Sequence, residues 1–336
     1  MKALILAAGL GTRLKPYTDT CPKPLIPLLN IPMIGYPLHL LEQVGVTDIT
    51  VNLHHLPEVM KSELPKLLKP DMGLTWSDET DQILDSGGAL SKVKDQFDDH
   101  FWVANADSFV VGPQRPLEAI YKAHKAQDRL VTLIGLPMFG AGQGRSALWV
   151  GPEKGLAAVG TDLDIPGTTP LQYPGLMVLS PRIFDFVPDG PSRLFQDILI
   201  PAIESGEKVF VESLSSFSWM ESGNPDDYFK ATGWGMNQLI VGGAFHPQLV
   251  ALLNRFAPMS RFGKLGDLIP GTPSPNTFCL IDQFKELDLQ ANISQYLVLG
   301  SGARISLKQD VERLVLGSET IWTDRPEVSQ QNLLVL

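Results

Sequence analysis

Short apolar runs alternate with segments of helical spacing through the first two thirds of the chain. Residues 3–6 (ALIL), 49–53 (ITVNL), 101–105 (FWVAN), 131–136 (VTLIGL) and 176–179 (LMVL) are nearly continuous apolar stretches of strand length, with shorter ones at 74–76 and 209–211. Between them, residues 33–44, 57–68, 86–93, 117–127 and 195–204 bring apolar side chains back every three or four positions, as one face of a helix does. Strands without polar alternation are buried on both sides, which requires helices over both faces of a mostly parallel sheet. Residues 147–150 and 157–161 predict a hairpin beside it. The expected fold class is α/β, a Rossmann-like, mostly parallel sheet filling a first domain over residues 1–232.

The pattern changes near residue 233. Gly233, Gly235, Gly242 and Gly243 break the alternation, and Pro258, Pro270, Pro273 and Pro275 follow. Residues 233–292 therefore read as a linker and irregular extension around one helix at 247–256. Beyond it the string LVLGS occurs at 297–301 and again at 314–318. Short strands and glycine turns repeating near 18 residues predict coils of a parallel β-helix over 293–336, with Val298 stacked on Val315. A simple hairpin is the competing reading.

The first apolar run opens directly into Ala7, Ala8, Gly9, Gly11, Thr12 and Arg13, with Lys23 ten positions later between two prolines. Small residues after a strand let backbone N–H groups approach a phosphate, and a following helix points its positive end at the same anion. Arg13 adds a planar fork and Lys23 a point charge. Neither a Walker loop nor a dinucleotide fingerprint fits, because no G-x-x-x-x-G-K-[ST] string is present and Leu14 stands where a third glycine belongs.

What does fit is the signature of the sugar-1-phosphate nucleotidylyltransferases, L-A-A-G-x-G-T-R-L-x-P followed by P-K-P-L, which LAAGLGTRLKPYTDTCPKPLIPL at residues 6–28 closely resembles. The resemblance implies a nucleotidyltransferase fold whose C-terminal extension ends in a short left-handed β-helix-like stub. It assigns Arg13 to the leaving pyrophosphate and Lys23 to the oxygens around the reacting phosphorus, as the catalytic pair. The nucleotide would lie on the backbone of Ala8, Gly9, Gly11, Thr12 and Arg13. Residues 78–90, DETDQILDSGGAL, resemble the family segment that closes over the base, with Glu79, Gln82 and Gly87 as nucleotide contacts.

Asp107 follows FWVAN in the string NAD, where the family has N-G-D, and is implied as a magnesium ligand (Mg2+) at the end of a central strand. The second metal carboxylate falls in a string like W-x-D-x-G-T-P-x-x-Y. Here it reads WMESGNPDDY, so Trp219, Gly223, Pro225 and Tyr228 keep the pattern while Glu221 replaces the aspartate. Asn105, and Gly175 in YPGLMVLSP, are implied at the sugar phosphate. Many relatives place a lysine before that string, in E-K-P; this chain has none there, and Arg145 is the substitute read from GQGRSAL.

Composition narrows the partners. The 336 residues are 44% hydrophobic and 19% charged, ordinary for a soluble globular protein. A net charge of −10 argues against nucleic acid and anionic membrane surfaces, since both want a basic face. No apolar run reaches the ~18 residues a bilayer demands. Cys21 and Cys279 lie far apart without metal spacing, as in a reduced, cytoplasmic protein. The expected partners are a nucleoside triphosphate (NTP) and a sugar 1-phosphate, plus a second copy of the chain through the stub.

The resulting expectation is an NDP-sugar-forming nucleotidylyltransferase. The compact catalytic domain and missing E-K-P string lean towards UTP with an amino-sugar 1-phosphate. The β-helix-like tail looks more like a GTP:mannose-1-phosphate guanylyltransferase. A phosphocholine cytidylyltransferase and a non-catalytic nucleotide-sugar-binding subunit remain as alternatives.

Overall fold

The computed structural model describes residues 1–291, 293–307, 310–317, 321–323 and 332–335. These group into two compact units, one of residues 1–10 and 37–219, the other of residues 11–36 and 220–336.

The first unit is built on seven strands: β1 Lys2–Leu6, β2 Asp48–Leu53, β3 Gly73–Asp78, β4 Phe101–Asn105, β5 Val131–Gly135, β6 Leu176–Leu179 and β7 Val209–Ser213. Their order across the sheet is β7-β5-β6-β4-β1-β2-β3. All pairings are parallel except those of β6, which runs antiparallel between β4 and β5. The continuous apolar runs have the cause expected of them: Ala3, Leu4 and Ile5 are fully buried, as is Val131. Helices cover the sheet, among them Gln114–Ala126, which buries Leu117, Ile120 and His124 along one face. The predicted hairpin forms between Ala147–Val150 and Leu156–Gly160, and Thr169–Leu171 adds a third strand.

This topology decides which candidate residues of the first unit share an edge. The carboxyl ends of the six parallel strands share one edge, and the reversed β6 begins on that edge. Residues following β1, β3, β4 and β5, together with Gly175 before β6, are therefore collected there.

The second unit differs most from expectation. Residue 233 does not begin a linker; Gly233 and Gly235 lie inside the helix Pro225–Val241, which ends only at Gly242 in the left-handed conformation. Burial of Tyr228, Phe229, Met236 and Leu239 along that helix outweighs the helix-weakening glycines. A second helix, His246–Phe256, packs on it. Nor is the chain irregular as far as 292. A parallel stack runs Phe278–Ile281, Ile293–Leu299, Val311–Leu316 and Asn332–Val335, and a second runs Glu286–Leu289, Arg304–Leu307 and Ile321–Thr323.

Val298 pairs with Val315 in parallel register, and Leu280 precedes them by one coil. The first coil carries no LVLGS string, which hid it from sequence inspection. Its interior is a core of Cys279, Ile281, Leu297, Leu299, Ile305 and Leu314. Ser318, the end of the second LVLGS string, lies outside the described residues, as do residues 324–331.

Residues 11–36 belong to this unit for a physical reason. Pro27–Leu28 and Ile31–Pro32 form a two-residue hairpin whose central Leu29 and Asn30 both have positive φ, as a type I′ turn demands. Leucine tolerates that conformation because tertiary contacts fix the turn. Leu29 is buried, Asn30 Nδ2 donates to the carbonyl of Leu299 (2.9 Å), and Tyr228 donates its hydroxyl to the carbonyl of Pro27.

Candidate active site

In the second unit, the loop that follows β1 turns at Gly11, whose φ is 62°. A Cβ there would meet Thr18 Cγ2 at 2.8 Å and Lys23 Cβ at 3.1 Å. Thr18, itself buried, donates to the Gly11 carbonyl (3.1 Å), which also accepts from Leu14 N (2.9 Å). The short helix Thr12–Leu14 follows, and Lys23 opens another, Lys23–Leu25. Lys23 is only 8% exposed, so its long stem is fixed by packing.

Arg13 is largely exposed and places Nη2 4.0 Å from Glu221 Oε1. Gly223 makes room for it: a Cβ there would stand 2.6 Å from Arg13 Nη2 and 2.5 Å from Glu221 Oε1. Glu221 Oε1 accepts the Gly223 N–H at 2.9 Å. The structure thus brings Arg13, Glu221 and Gly223 together. In the sequence Gly223 is only a matching letter; the close approach of a guanidinium is what requires it.

In the first unit, Asn105 N donates to the Gly175 carbonyl (2.8 Å), and Ala106 N to the Leu6 carbonyl (3.0 Å). The end of β4 is thereby tied to the start of β6 and to β1, with Asp107 on the turn immediately after. Arg145 is exposed on the loop between β5 and Ala147–Val150, the loop that also carries the fully exposed Phe139.

The segment expected over the base is split in character. Gln82 is exposed, whereas Glu79 is 1% exposed and its carboxylate accepts from Asn52 Nδ2 (2.9 Å) and Leu84 N (3.3 Å). Burial pushes the Glu79 carboxyl above its usual range, and the hydrogen bonds from Asn52 and Leu84 oppose that shift. Gly87 N donates to the carbonyl of Ser192 (2.8 Å), as does Gly88 N (3.1 Å), so the segment around Ser192 caps the helix Asp85–Ser91. Sequence reasoning missed Asn52, although a carboxamide inside an apolar strand was a signal that it had a buried partner.

Among the described residues no cluster of three or more histidine, cysteine or acidic side chains forms a metal site, and no helix is long and apolar enough to cross a membrane. Carboxylate oxygens are nevertheless the hard donors that magnesium takes, usually one or two with water and phosphate. Asp107 fits that requirement at its strand end. Glu221 fits less simply, because one of its oxygens is held by Gly223 N and faces Arg13.

The seven-stranded, mostly parallel sheet with helices over it defines an α/β protein. The chain carries a nucleotidyl transferase domain: the family described as Nucleotidyl transferase matches residues 2–138. It is 32% identical over 242 residues to a mannose-1-phosphate guanyltransferase of Schizosaccharomyces pombe, covering 69% of this chain and 63% of that protein. A probable mannose-1-phosphate guanylyltransferase 2 of Oryza sativa is also 32% identical, over 68% of this chain and 63% of its own length. The chain thus spans just under two thirds of these relatives. Among solved structures it is similar in fold to HddC from Yersinia pseudotuberculosis (TM-score 0.55, 22% identity, 69% of this chain and 97% of that one). A putative glucose-1-phosphate thymidylyltransferase from Bacillus anthracis gives a TM-score of 0.58 at 18% identity, over 70% and 94% of the two chains.

Proposed function

We propose that the protein transfers a nucleotidyl group from an NTP to a sugar 1-phosphate, and that the pair is GTP with mannose 1-phosphate or a close relative of it. The observation that carries the reaction class is the loop at residues 8–13, in which Gly11 is held left-handed against Thr18 and Lys23 while Arg13 lies over Gly223. The choice of base and sugar rests on the mannose-1-phosphate guanylyltransferase relatives, which support this pair better than the uridylyl and amino-sugar expectation.

A sugar-phosphate oxygen attacks the α-phosphorus in line, and pyrophosphate departs. The protein's task is to align two anions that repel each other and to neutralise the charge that develops. Lys23 holds the oxygens of the reacting phosphorus, and its packed stem means the ammonium needs little reorganisation. Arg13 meets the departing pyrophosphate; its exposure and its partner Glu221 let the fork turn towards an incoming polyphosphate. Asn105 and Gly175, joined at the edge of the sheet, border the sugar phosphate with Arg145 on the neighbouring loop. Asp107 would hold magnesium, which supplies charge neutralisation at the phosphate oxygens when bound.

The decisive experiment measures pyrophosphate release with four NTPs against a panel of sugar phosphates and phosphocholine. The highest kcat/KM is expected for GTP with mannose 1-phosphate. A preference for UTP with an amino-sugar 1-phosphate overturns the substrate assignment, and absence of turnover with every pair overturns the activity.

A further inference from the structure

The buried carboxylate of Glu79 is connected to the first residue of the nucleotide loop by a single side chain. Ala7 N donates to Asn52 Oδ1 at 2.6 Å, and Asn52 Nδ2 donates to Glu79 Oε1 at 2.9 Å. Asn52 is 3% exposed and Glu79 1%, so water does not compete for either bond. A carboxamide has one accepting end and one donating end. Only the accepting end satisfies the Ala7 N–H, and the donating end then needs an acceptor of its own; Glu79 provides it and so selects the orientation of the amide.

Glu79 is in turn fixed from several sides. Its N–H donates to the Leu53 carbonyl (2.7 Å), its carbonyl accepts from His54 Nδ1 (2.7 Å) and from Gln82 N (3.2 Å), and its other carboxylate oxygen accepts from Leu84 N. The carboxylate is thus anchored to the ends of β2 and β3 and to the start of the helix Asp85–Ser91. Ala7 lies one residue before Ala8, where the nucleotide-binding backbone begins.

We propose that Glu79 is a positioning residue for nucleotide binding, setting the place of the Ala7 N–H through the carboxamide of Asn52, instead of a residue that touches the base. The role rests on the reading that the loop after β1 holds the nucleotide. An unpartnered buried carboxamide is free to turn its NH₂ towards Ala7, which replaces a hydrogen bond by two opposed donors at the root of the loop. The effect falls on nucleotide affinity and leaves the chemical step alone, because neither residue meets the reacting atoms.

The test compares Glu79→Leu, Glu79→Gln, Asn52→Asp and the double variant Asn52→Asp with Glu79→Gln. Two quantities are measured: the split between kcat and KM for GTP, and hydrogen exchange at the Ala7 amide in the absence of nucleotide. Glu79→Leu should raise KM about 10-fold and speed Ala7 exchange by a similar factor, the scale of one unmet buried hydrogen bond, with kcat within about twofold. Glu79→Gln keeps an oxygen for Asn52 and should stay within about threefold of wild type.

Asn52→Asp sets two carboxylates against each other and should weaken binding at least as much as Glu79→Leu does. The double variant reverses the polarity of the pair while still offering Ala7 an acceptor, and should recover to within about threefold. A merely structural role predicts lowered stability without this reciprocal recovery. Unchanged KM and Ala7 exchange in Glu79→Leu, or a double variant no better than Asn52→Asp alone, overturns the proposal. Should Glu79→Leu not fold, the comparison of Asn52→Asp with the double variant decides. If wild type turns over no NTP, the proposed function falls, and Ala7 exchange across the same variants still decides whether Glu79 positions the loop.

Discussion

Replacing Gly11 by alanine tests the loop at its most constrained point. The residue has φ 62°, a conformation that costs an L-residue about 1–2 kcal/mol. The added methyl would also stand 2.8 Å from Thr18 Cγ2 and 3.1 Å from Lys23 Cβ, inside ordinary contact distance. Neither neighbour yields freely: Thr18 is 1% exposed and hydrogen-bonded to the Gly11 carbonyl, and Lys23 is packed at its stem. Relief of the clash therefore moves Lys23 or opens the turn.

Gly11→Ala should lose about 2 kcal/mol of stability, lowering Tm by roughly 4–8 °C for a unit of this size, and should reduce kcat/KM about 10²-fold through misplacement of Lys23. Gly9→Ala is the control, since nothing lies within 4 Å of a Cβ there and its φ is not in the left-handed region. It should leave Tm within about 1 °C. Differential scanning calorimetry and pyrophosphate release on the two variants provide the comparison. A Gly11→Ala protein with wild-type Tm and activity would refute the argument from conformation and close approach together.

Arg13→Ala should lower turnover about 10²–10³-fold, the scale of removing one fixed charge-stabilising donor, and Gly223→Ala should show a fraction of the same loss by displacing the guanidinium without removing it; pyrophosphate release reads both. Asp107→Asn should abolish turnover while leaving the circular dichroism spectrum unchanged, and full activity at limiting magnesium would end its assignment as a metal ligand. His124 is wholly buried, and that burial, with repulsion from His100, Arg129 and Arg182, pushes its pKa down to about 3. An unfolded histidine titrates near 6.5. Between those values the unfolded chain holds the additional proton, so the stabilisation is complete above pH 6.5 and declines by up to about 1.4 kcal/mol per unit as the pH falls. Urea denaturation of wild type and His124→Gln at pH 7 and pH 5 should show the steeper loss in wild type; equal losses would remove His124 as a source of acid sensitivity.

The strands of the first unit were legible because a sheet covered on both faces needs nearly unbroken apolar runs, and ALIL, FWVAN and LMVL are such runs whatever surrounds them. The loop proposed here to bind phosphate stood out in the sequence for a similar local reason. Small residues after a strand and paired cations have few other uses, and the family signature lies within one continuous string. The repeat of LVLGS announced stacked coils because a β-helix returns its own sequence at the period of a turn.

What the sequence left open depended on partners distant along the chain. The glycines at 233 and 235 looked like a break until burial of Tyr228, Met236 and Leu239 made the same residues part of a helix. The coil beginning at Phe278 was hidden because register against Tyr296–Leu299, instead of any repeated string, creates it. Glu79 carries the same letter whether it faces solvent, a base or Asn52. Only the convergence of β1, β2 and β3 at one edge places its carboxylate out of water and in line with Ala7. Local strings record backbone preference and apolar burial, whereas the partner of a buried polar group is fixed only when the strands that carry it are brought together.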